Sequence, residues 1–369
     1  MRGAIVGFGF IAAKGHVPFY ERAVRDGALE IAAIADSCPA RLAKARQAFP
    51  NAKVYADGLD LIYREGSQID FLDIATPPYA HERLAVAALE AGIHVLCEKP
   101  LTTSVESARL MLEAALRNKR VLFPGHNYRH APVVQQIKSI LDTGDLGTVK
   151  LVTLQTYRNT HALGVPEWNT DWRRDQRFSG GGIAMDHGSH SFYLIFDWLK
   201  QYPKNISARM YQISAPEFDT EDNFHASLEF EGAVAQIGLT WTAGSRKVVY
   251  TIQCEKGAIR VEDDDFEVAR KFARKDENIS HAAEWAIERF TLPSHWMDSS
   301  HSEWFASLFA DFCVAIENNQ FVSKDTTDSY ECIRTIYGAY ESARLGGTKV
   351  ALFDVDRADR PRLSPSLTL

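Results

Sequence analysis

The sequence predicts an α/β protein. A doubly wound parallel sheet fills the N-terminal third, and an α+β region on a large, open, mainly antiparallel sheet follows. Three observations carry this. Residues 1–123 alternate short apolar runs with segments apolar at helical spacing, which is the pattern of βαβ units. The first apolar run ends in Gly7-Phe-Gly9-Phe-Ile-Ala12, a glycine turn ahead of a helix. Beyond residue 124, strand-like runs follow one another mostly without helices between them, as antiparallel pairing requires.

The first region runs in order as follows. Strand candidates are residues 4–6, 31–35, 53–55, 71–75, 94–97 and 121–123, with helical patterns at 40–49, 81–91 and 104–118. The turn after the first strand reads G-x-G-x-x-A. Gly7 permits the tight turn, Gly9 lets the backbone approach a pyrophosphate, and Ala12 is small enough for helix to pack on strand. Phe10 and Ile11 open the helix, whose N-terminus offers free N–H groups to phosphate. The second strand ends at Asp36, 24 residues past Ala12, where an acidic residue binds adenosine ribose hydroxyls. Together these predict a dinucleotide-binding Rossmann domain over residues 1–123. Asp36 would repel a 2′-phosphate, which favours NAD over NADP. Arg41 is the nearby cation that leaves NADP open.

Two strand ends place further groups at the carboxyl edge of this sheet, where ligands of such sheets bind. Thr76-Pro-Pro78 turns the chain outward, and His81 starts the next helix in a structural role. Cys97-Glu98-Lys99-Pro100 sets a lysine at the same edge. Lys99 can hydrogen-bond a substrate hydroxyl and stabilise negative charge developing on its oxygen. The residue before a proline is held extended, so Lys99 does not simply run into the following helix.

Residues 124–130 form a polar, aromatic connector, which sets the boundary of a second, substrate-binding domain at 124–369. A helix is expected at 132–141. Strands are expected at 149–157, 206–213, 223–230, 234–240, 248–254 and 258–262, with hairpin signals at Glu231-Gly232 and Lys256-Gly257. The open face of that sheet is the expected homodimer or homotetramer interface. Residues 158–178 form a long loop rich in Arg, His, Asp and Trp, and residues 273–300 form another irregular stretch with Trp285, His295 and Trp296. Long loops of this kind are often functional. Helices at 302–317 and 326–345 and a short strand at 349–352 close the pattern, the second helix near the domain interface.

Between these strands lies Phe178-Ser-Gly-Gly-Gly-Ile-Ala-Met-Asp-His-Gly-Ser-His190. Asp186 and His190 are four apart, on one helical face. A carboxylate beside an imidazole forms an acid/base pair, because imidazole titrates near neutral pH. His187 points about a quarter turn away and reads as a packing or substrate-rim residue.

Composition sets the outer limits. A chain of 369 residues suits two domains. Apolar content of 46% and charged content of 24% are those of a globular protein. A formal charge of −7, with no basic run, argues against nucleic acid. Five scattered cysteines, never paired as CxxC, suit free thiols in a reducing compartment. No leader pattern opens the sequence and no apolar run would span a bilayer. A soluble cytoplasmic protein, without a membrane partner, is expected.

These pieces together resemble the Gfo/Idh/MocA oxidoreductases, typified by glucose–fructose oxidoreductase and inositol dehydrogenase. The matching pieces are Gly7-x-Gly9-x-x-Ala12, Thr76-Pro77 with His81, Ala91-Gly-Ile-His-Val-Leu-Cys-Glu-Lys-Pro100, Gly180-Gly-Gly182 followed by Asp186-x-x-x-His190, and Tyr340-Glu-Ser-Ala343. They span nearly the whole chain in the family's order. The resemblance implies hydride transfer between a nicotinamide cofactor and a carbinol or carbonyl of a sugar, cyclitol or sugar derivative. It implies Lys99 as catalytic lysine, His190 as general acid/base, Asp186 as its partner in orienting substrate, and a cis peptide before Pro100.

The expected cofactor site is therefore Gly7, Gly9, Phe10, Ile11, Ala12, Asp36, Arg41, Thr76, Pro77, His81, Glu98 and Lys99, for NAD rather than NADP. The expected substrate site is Tyr128, Arg129, Arg158, Trp172, Arg173, Asp186, His187 and His190. No metal is expected, because His187 and His190 have no further ligand cluster beside them. Two other readings stay open at this point. One is a glycosidase that uses NAD for transient oxidation without net turnover. The other is a non-catalytic NAD-binding regulator, against which an intact Lys99, Asp186 and His190 argue.

Overall fold

The computed structural model describes residues 1–214, 217–272, 284–293 and 302–352. Six parallel strands make the first sheet: β1 (Arg2–Val6), β2 (Glu30–Ala35), β3 (Lys53–Tyr55), β4 (Phe71–Ile74), β5 (His94–Cys97) and β6 (Leu122–Pro124). Their order is β3-β2-β1-β4-β5-β6, the doubly wound order with its switch point between β1 and β4. Each strand is a short apolar run because both faces are covered by helices. Those helices start where the sequence caps them. α1 is Val17–Arg25, and α2 (Pro39–Ala48) has proline in its first turn. α3 (Gly58–Glu65) is capped by Asp57, which accepts from Leu59 N at 2.7 Å. α4 is His81–Glu90. α5 (Val105–Asn118) is capped by Ser104.

After α6 (Pro132–Asp142) the chain builds a nine-stranded sheet. Its strands are β7 (Val149–Tyr157), β8 (Asn205–Tyr211), β9 (Asn223–Phe230), β10 (Ala233–Thr240), β11 (Lys247–Cys254), β12 (Gly257–Glu262), β13 (Asp265–Phe272), β14 (Glu284–Thr291) and β15 (Val350–Ala351). All pairings are antiparallel except β7 with β10. Strands β13 and β14 are a correction to the sequence reading. Residues 284–291, expected as part of an irregular stretch, pair with β13, and Trp285 lies half exposed within β14. His295 and Trp296 fall outside the described residues. The alternation of β9 and β10 puts one face on the core and leaves the other open. That open face forms a broad groove of about 490 Å³, lined by residues such as Thr153, Gln155, Arg209 and His225.

Short helices α7 (Gln176–Ser179) and α8 (Ile183–Asp186) lead into α9 (Gly188–Leu199), buried along almost its whole length under the second sheet. The closing helices are α10 (Ser302–Glu317) and α11 (Lys324–Arg344). Phe305, Leu308, Phe309 and Phe312 of α10 join Ile5, Tyr20 and Phe71 in one apolar cluster, so the chain returns to cover a face of the first sheet. Each of these phenylalanines contributes about 1.5–3 kcal/mol by burial. Leu122 N donates to Phe321 O at 3.0 Å, which fixes the return beside β6. No helix among the described residues is long and apolar enough to cross a membrane.

Candidate active site

The first site element is the glycine turn. Gly7 has φ +93°, and a Cβ there would lie 2.7 Å from the Ala75 carbonyl, so only glycine fits. Gly9 has nothing within 4 Å of its Cβ position, so its outer side is open for a ligand. The helix then begins at Phe10 and passes through a π-helical turn at Ala12–His16. Asp36 holds the turn in place: its carboxylate accepts from Phe8 N at 2.6 Å and Cys38 N at 2.7 Å. At the end of β4, Thr76 Oγ1 is buried with no protein hydrogen-bond partner, which leaves it free to bond a ligand or water. An open glycine, a helix N-terminus and an orphaned hydroxyl on one sheet edge fit a dinucleotide pyrophosphate.

The second element joins the two sheets. Lys99 follows β5, and the Lys99–Pro100 peptide is cis. Lys99 Nζ lies 2.9 Å from Asp186 Oδ1 and 3.2 Å from the Asp186 carbonyl. Both side chains are nearly buried. Burial alone would raise the Asp186 carboxyl, but the Lys99 ammonium, His187 and Arg173 outweigh it and hold it well below the usual range. Arg173 Nε is 3.7 Å from Asp186 Oδ2, with its guanidinium over the Trp172 ring at 4.2 Å.

His190 is buried and stacks on Tyr128 at 3.8 Å. Its Nδ1 lies 2.7 Å from Tyr193 Oη, which also accepts from Tyr128 N at 3.3 Å. Burial, then the charge of Lys99, push His190 well below its ordinary pKa, so it is neutral at pH 7. Asp186 and His190 lie close enough to interact electrostatically, and each has its own hydrogen-bond partner. Asp186 is engaged by Lys99 and by His187, whose Nδ1 is 3.2 Å from Asp186 Oδ2, and His190 is engaged by Tyr193. His187 sits inside the cluster beside the carboxylate.

Four other expected site residues have protein partners. Arg129 is paired with Asp325 and Asp328 on α11. Arg158 is buried and donates to the carbonyl of Tyr157 at 2.9 Å. His81 is fully buried, joining the carbonyls of Thr76 and Pro100, so it ties two edge turns together. Arg41 is buried and donates through Nε to Phe8 O at 2.6 Å and through Nη2 to Gly9 O at 3.3 Å.

Two supporting groups escaped the sequence reading. Beneath Lys99, Glu98 Oε1 lies 3.2 Å from His16 Nε2, and His16 Nδ1 lies 2.8 Å from Asp73 Oδ2. Glu98 also accepts from Lys99 N at 3.0 Å. Burial would lower His16, but Asp73 and Glu98 raise it to about 10, so a buried imidazolium lies between two carboxylates. The available signal was an acidic residue inside each of two buried strand ends, Asp73 in Phe-Leu-Asp-Ile and Glu98 after β5. The other group is Glu221. It accepts from Gly182 N at 3.1 Å, Ala184 N at 3.0 Å and Tyr340 Oη at 3.0 Å, capping the helix that carries Asp186. A Cβ on Gly182 would lie 2.0 Å from Glu221 O. Gly181 and Gly182 thus make room for Tyr340 and Glu221.

Comparison with known proteins agrees with this layout. Residues 1–126 match the oxidoreductase family, NAD-binding Rossmann fold, and residues 134–260 match the GFO/IDH/MocA C-terminal domain. The chain is 27% identical over 256 residues to D-glucoside 3-dehydrogenase of Escherichia coli (strain K12), covering 65% of this chain and 69% of that protein. It is 25% identical over 344 residues to levoglucosan dehydrogenase of Pseudarthrobacter phenanthrenivorans, covering 81% and 83%. The fold superposes with a TM-score of 0.80 on a solved structure of levoglucosan dehydrogenase in complex with NADH and levoglucosan, at 21% identity over 95% of this chain and 99% of that one. The chain belongs to the GFO/IDH/MocA family of NAD-binding oxidoreductases.

Proposed function

We propose that this protein is an NAD-dependent dehydrogenase acting on a CH–OH group of a sugar, cyclitol or sugar derivative. The observation that carries the reading is the Lys99–Asp186 ion pair at the sheet edge, beside a neutral His190. Residues 1–123 hold the dinucleotide, and residues 124–369 supply most of the substrate pocket. When bound, NAD supplies the hydride acceptor. The chain's own groups manage the proton and the charge. His190 Nδ1 is committed to Tyr193, which leaves Nε2 to meet the substrate hydroxyl. With Nδ1 protonated toward the tyrosine oxygen, Nε2 accepts the hydroxyl proton as a general base. Lys99 donates to the same oxygen and stabilises its developing negative charge. Asp186 holds the Lys99 ammonium in position, and His187, Trp172, Arg173 and Tyr128 border the remainder of the substrate.

Relatives named as glucoside and levoglucosan dehydrogenases support net oxidation over transient oxidation with hydrolysis, and over a regulator. The open sheet face supports a homodimer or homotetramer, and five free thiols suit a cytoplasmic setting. The test is nicotinamide absorbance with NAD and NADP across free sugars, glycosides, anhydrosugars, inositols and sugar acids. Reduction of NAD by at least one polyol substrate is expected. Released monosaccharide from a glycoside, with no net NADH, would replace this reading with the glycosidase.

A further inference from the structure

The loop at 158–178 reaches across to the adenosine end of the cofactor site, far from the reacting groups. Its Glu167 side chain pairs with Lys44 Nζ and lies 3.8 Å from Arg41 Nη1, both cations belonging to α2. The Glu167 carbonyl accepts from Cys38 Sγ at 3.4 Å, two residues from Asp36. Farther along, Phe178 packs edge-on to Tyr79 at 5.2 Å and to Trp168 at 5.4 Å. The loop is thus fastened at α2 on one side and at the turn after β4 on the other.

This placement matters for cofactor choice. In a sheet of this kind the 2′ position of the adenosine ribose lies beside the acidic residue ending β2, and an arginine nearby accommodates a 2′-phosphate. Arg41 is the residue at that place, but its guanidinium is taken. Nε and Nη2 hold the carbonyls of Phe8 and Gly9, and Nη1 faces Glu167. Lys44, the next cation on the helix, is held by the same carboxylate. A 2′-phosphate would meet two carboxylates, Asp36 and Glu167, and cations already neutralised.

We propose that Glu167, supplied by the substrate-side loop, is a specificity-determining residue that makes the site select NAD against NADP. Asp36 repels the phosphate directly. Glu167 acts by withdrawing Arg41 and Lys44 from it and adding a second negative charge.

The test is calorimetric titration of the full-length protein with NAD and with NADP, without sugar, so its failure leaves the reading of Lys99 and His190 untouched. E167Q keeps the side-chain shape and removes the charge. Its affinity for NADP is expected to rise about tenfold, with NAD binding unchanged within about twofold. The gain should shrink as salt is raised from about 0.05 to 0.5 M, because freed surface cations are screened. E167A repeats the measurement with the anchor removed. An unchanged ratio of NAD to NADP affinity in both variants would overturn the proposal, whether neither affinity moves or both weaken together. So would a gain in NADP binding that does not respond to salt.

Discussion

Lys99 Nζ lies 2.9 Å from Asp186 Oδ1, and this contact joins the edge of the first sheet to the helix start that follows the triple glycine. Each partner comes from a different half of the chain. The ion pair therefore depends on the two sheets being held in register, and the network behind each partner has a testable effect.

Behind Asp186 stands Glu221. Replacing Glu221 by Ala removes the acceptor for Gly182 N and Ala184 N and leaves Tyr340 Oη unpaired. A stability loss of about 1–2 kcal/mol is expected, read as a lowered Tm. A fall in kcat larger than any change in NAD affinity is expected too, because Asp186 loses its fixed position. Equal losses in NAD binding and kcat would place the defect elsewhere.

Behind Lys99 stands His16, an imidazolium packed on Phe305 at 3.9 Å. Replacing His16 by Leu strands Asp73 and Glu98 in the interior, at a cost of about 3–5 kcal/mol. The native pair also carries a pH signature. His16 holds its proton more tightly folded, at about 10, than its ordinary 6.5. Its contribution is fully present below about pH 6.5 and is lost as pH rises through about 10. Tm should fall across that window in the native protein and fall less steeply in H16L.

Behind His190 stands Tyr193. Y193F removes the hydroxyl that fixes Nδ1, so the ring loses its tautomer preference. A drop in kcat of about tenfold or more is expected, with NAD affinity unchanged. Since burial and Lys99 already hold His190 well below its ordinary pKa, native activity should show no acid limb near pH 6.5. An acid limb at that pH in the native enzyme would contradict the lowered pKa of His190.

The open face of the second sheet gives a separate prediction. Lysines at Thr153 and Gln236, on β7 and β10, would bring like charges together across a face-to-face dimer. Light scattering is expected to give a dimer or tetramer for the native chain and a monomer for this variant. An unchanged mass would remove this face from consideration.

Much of this was legible in the sequence, for identifiable reasons. The glycine turn and Asp36 are local signals, set by backbone conformation and strand ends, and Gly7 at φ +93° meets the expectation. Lys99 before Pro100 and the Asp186–His190 segment were found as motifs, but their partners were not. Asp186 takes Lys99 as its hydrogen-bond partner, a contact across the chain that i, i+4 spacing does not reveal. The protein partners of the arginines were not legible: Arg129, Arg158 and Arg41 meet carbonyls and carboxylates that sequence distance hides. Strand β14 was missed because nearly all of its residues are exposed, so it lacks the alternation that marks a half-buried strand.

The most direct test is K99M, in which an apolar chain of similar length replaces the ammonium. The account predicts NAD affinity within about threefold of native by calorimetry, with turnover of a responsive sugar reduced by at least about 10³-fold. Near-native turnover in K99M would contradict it.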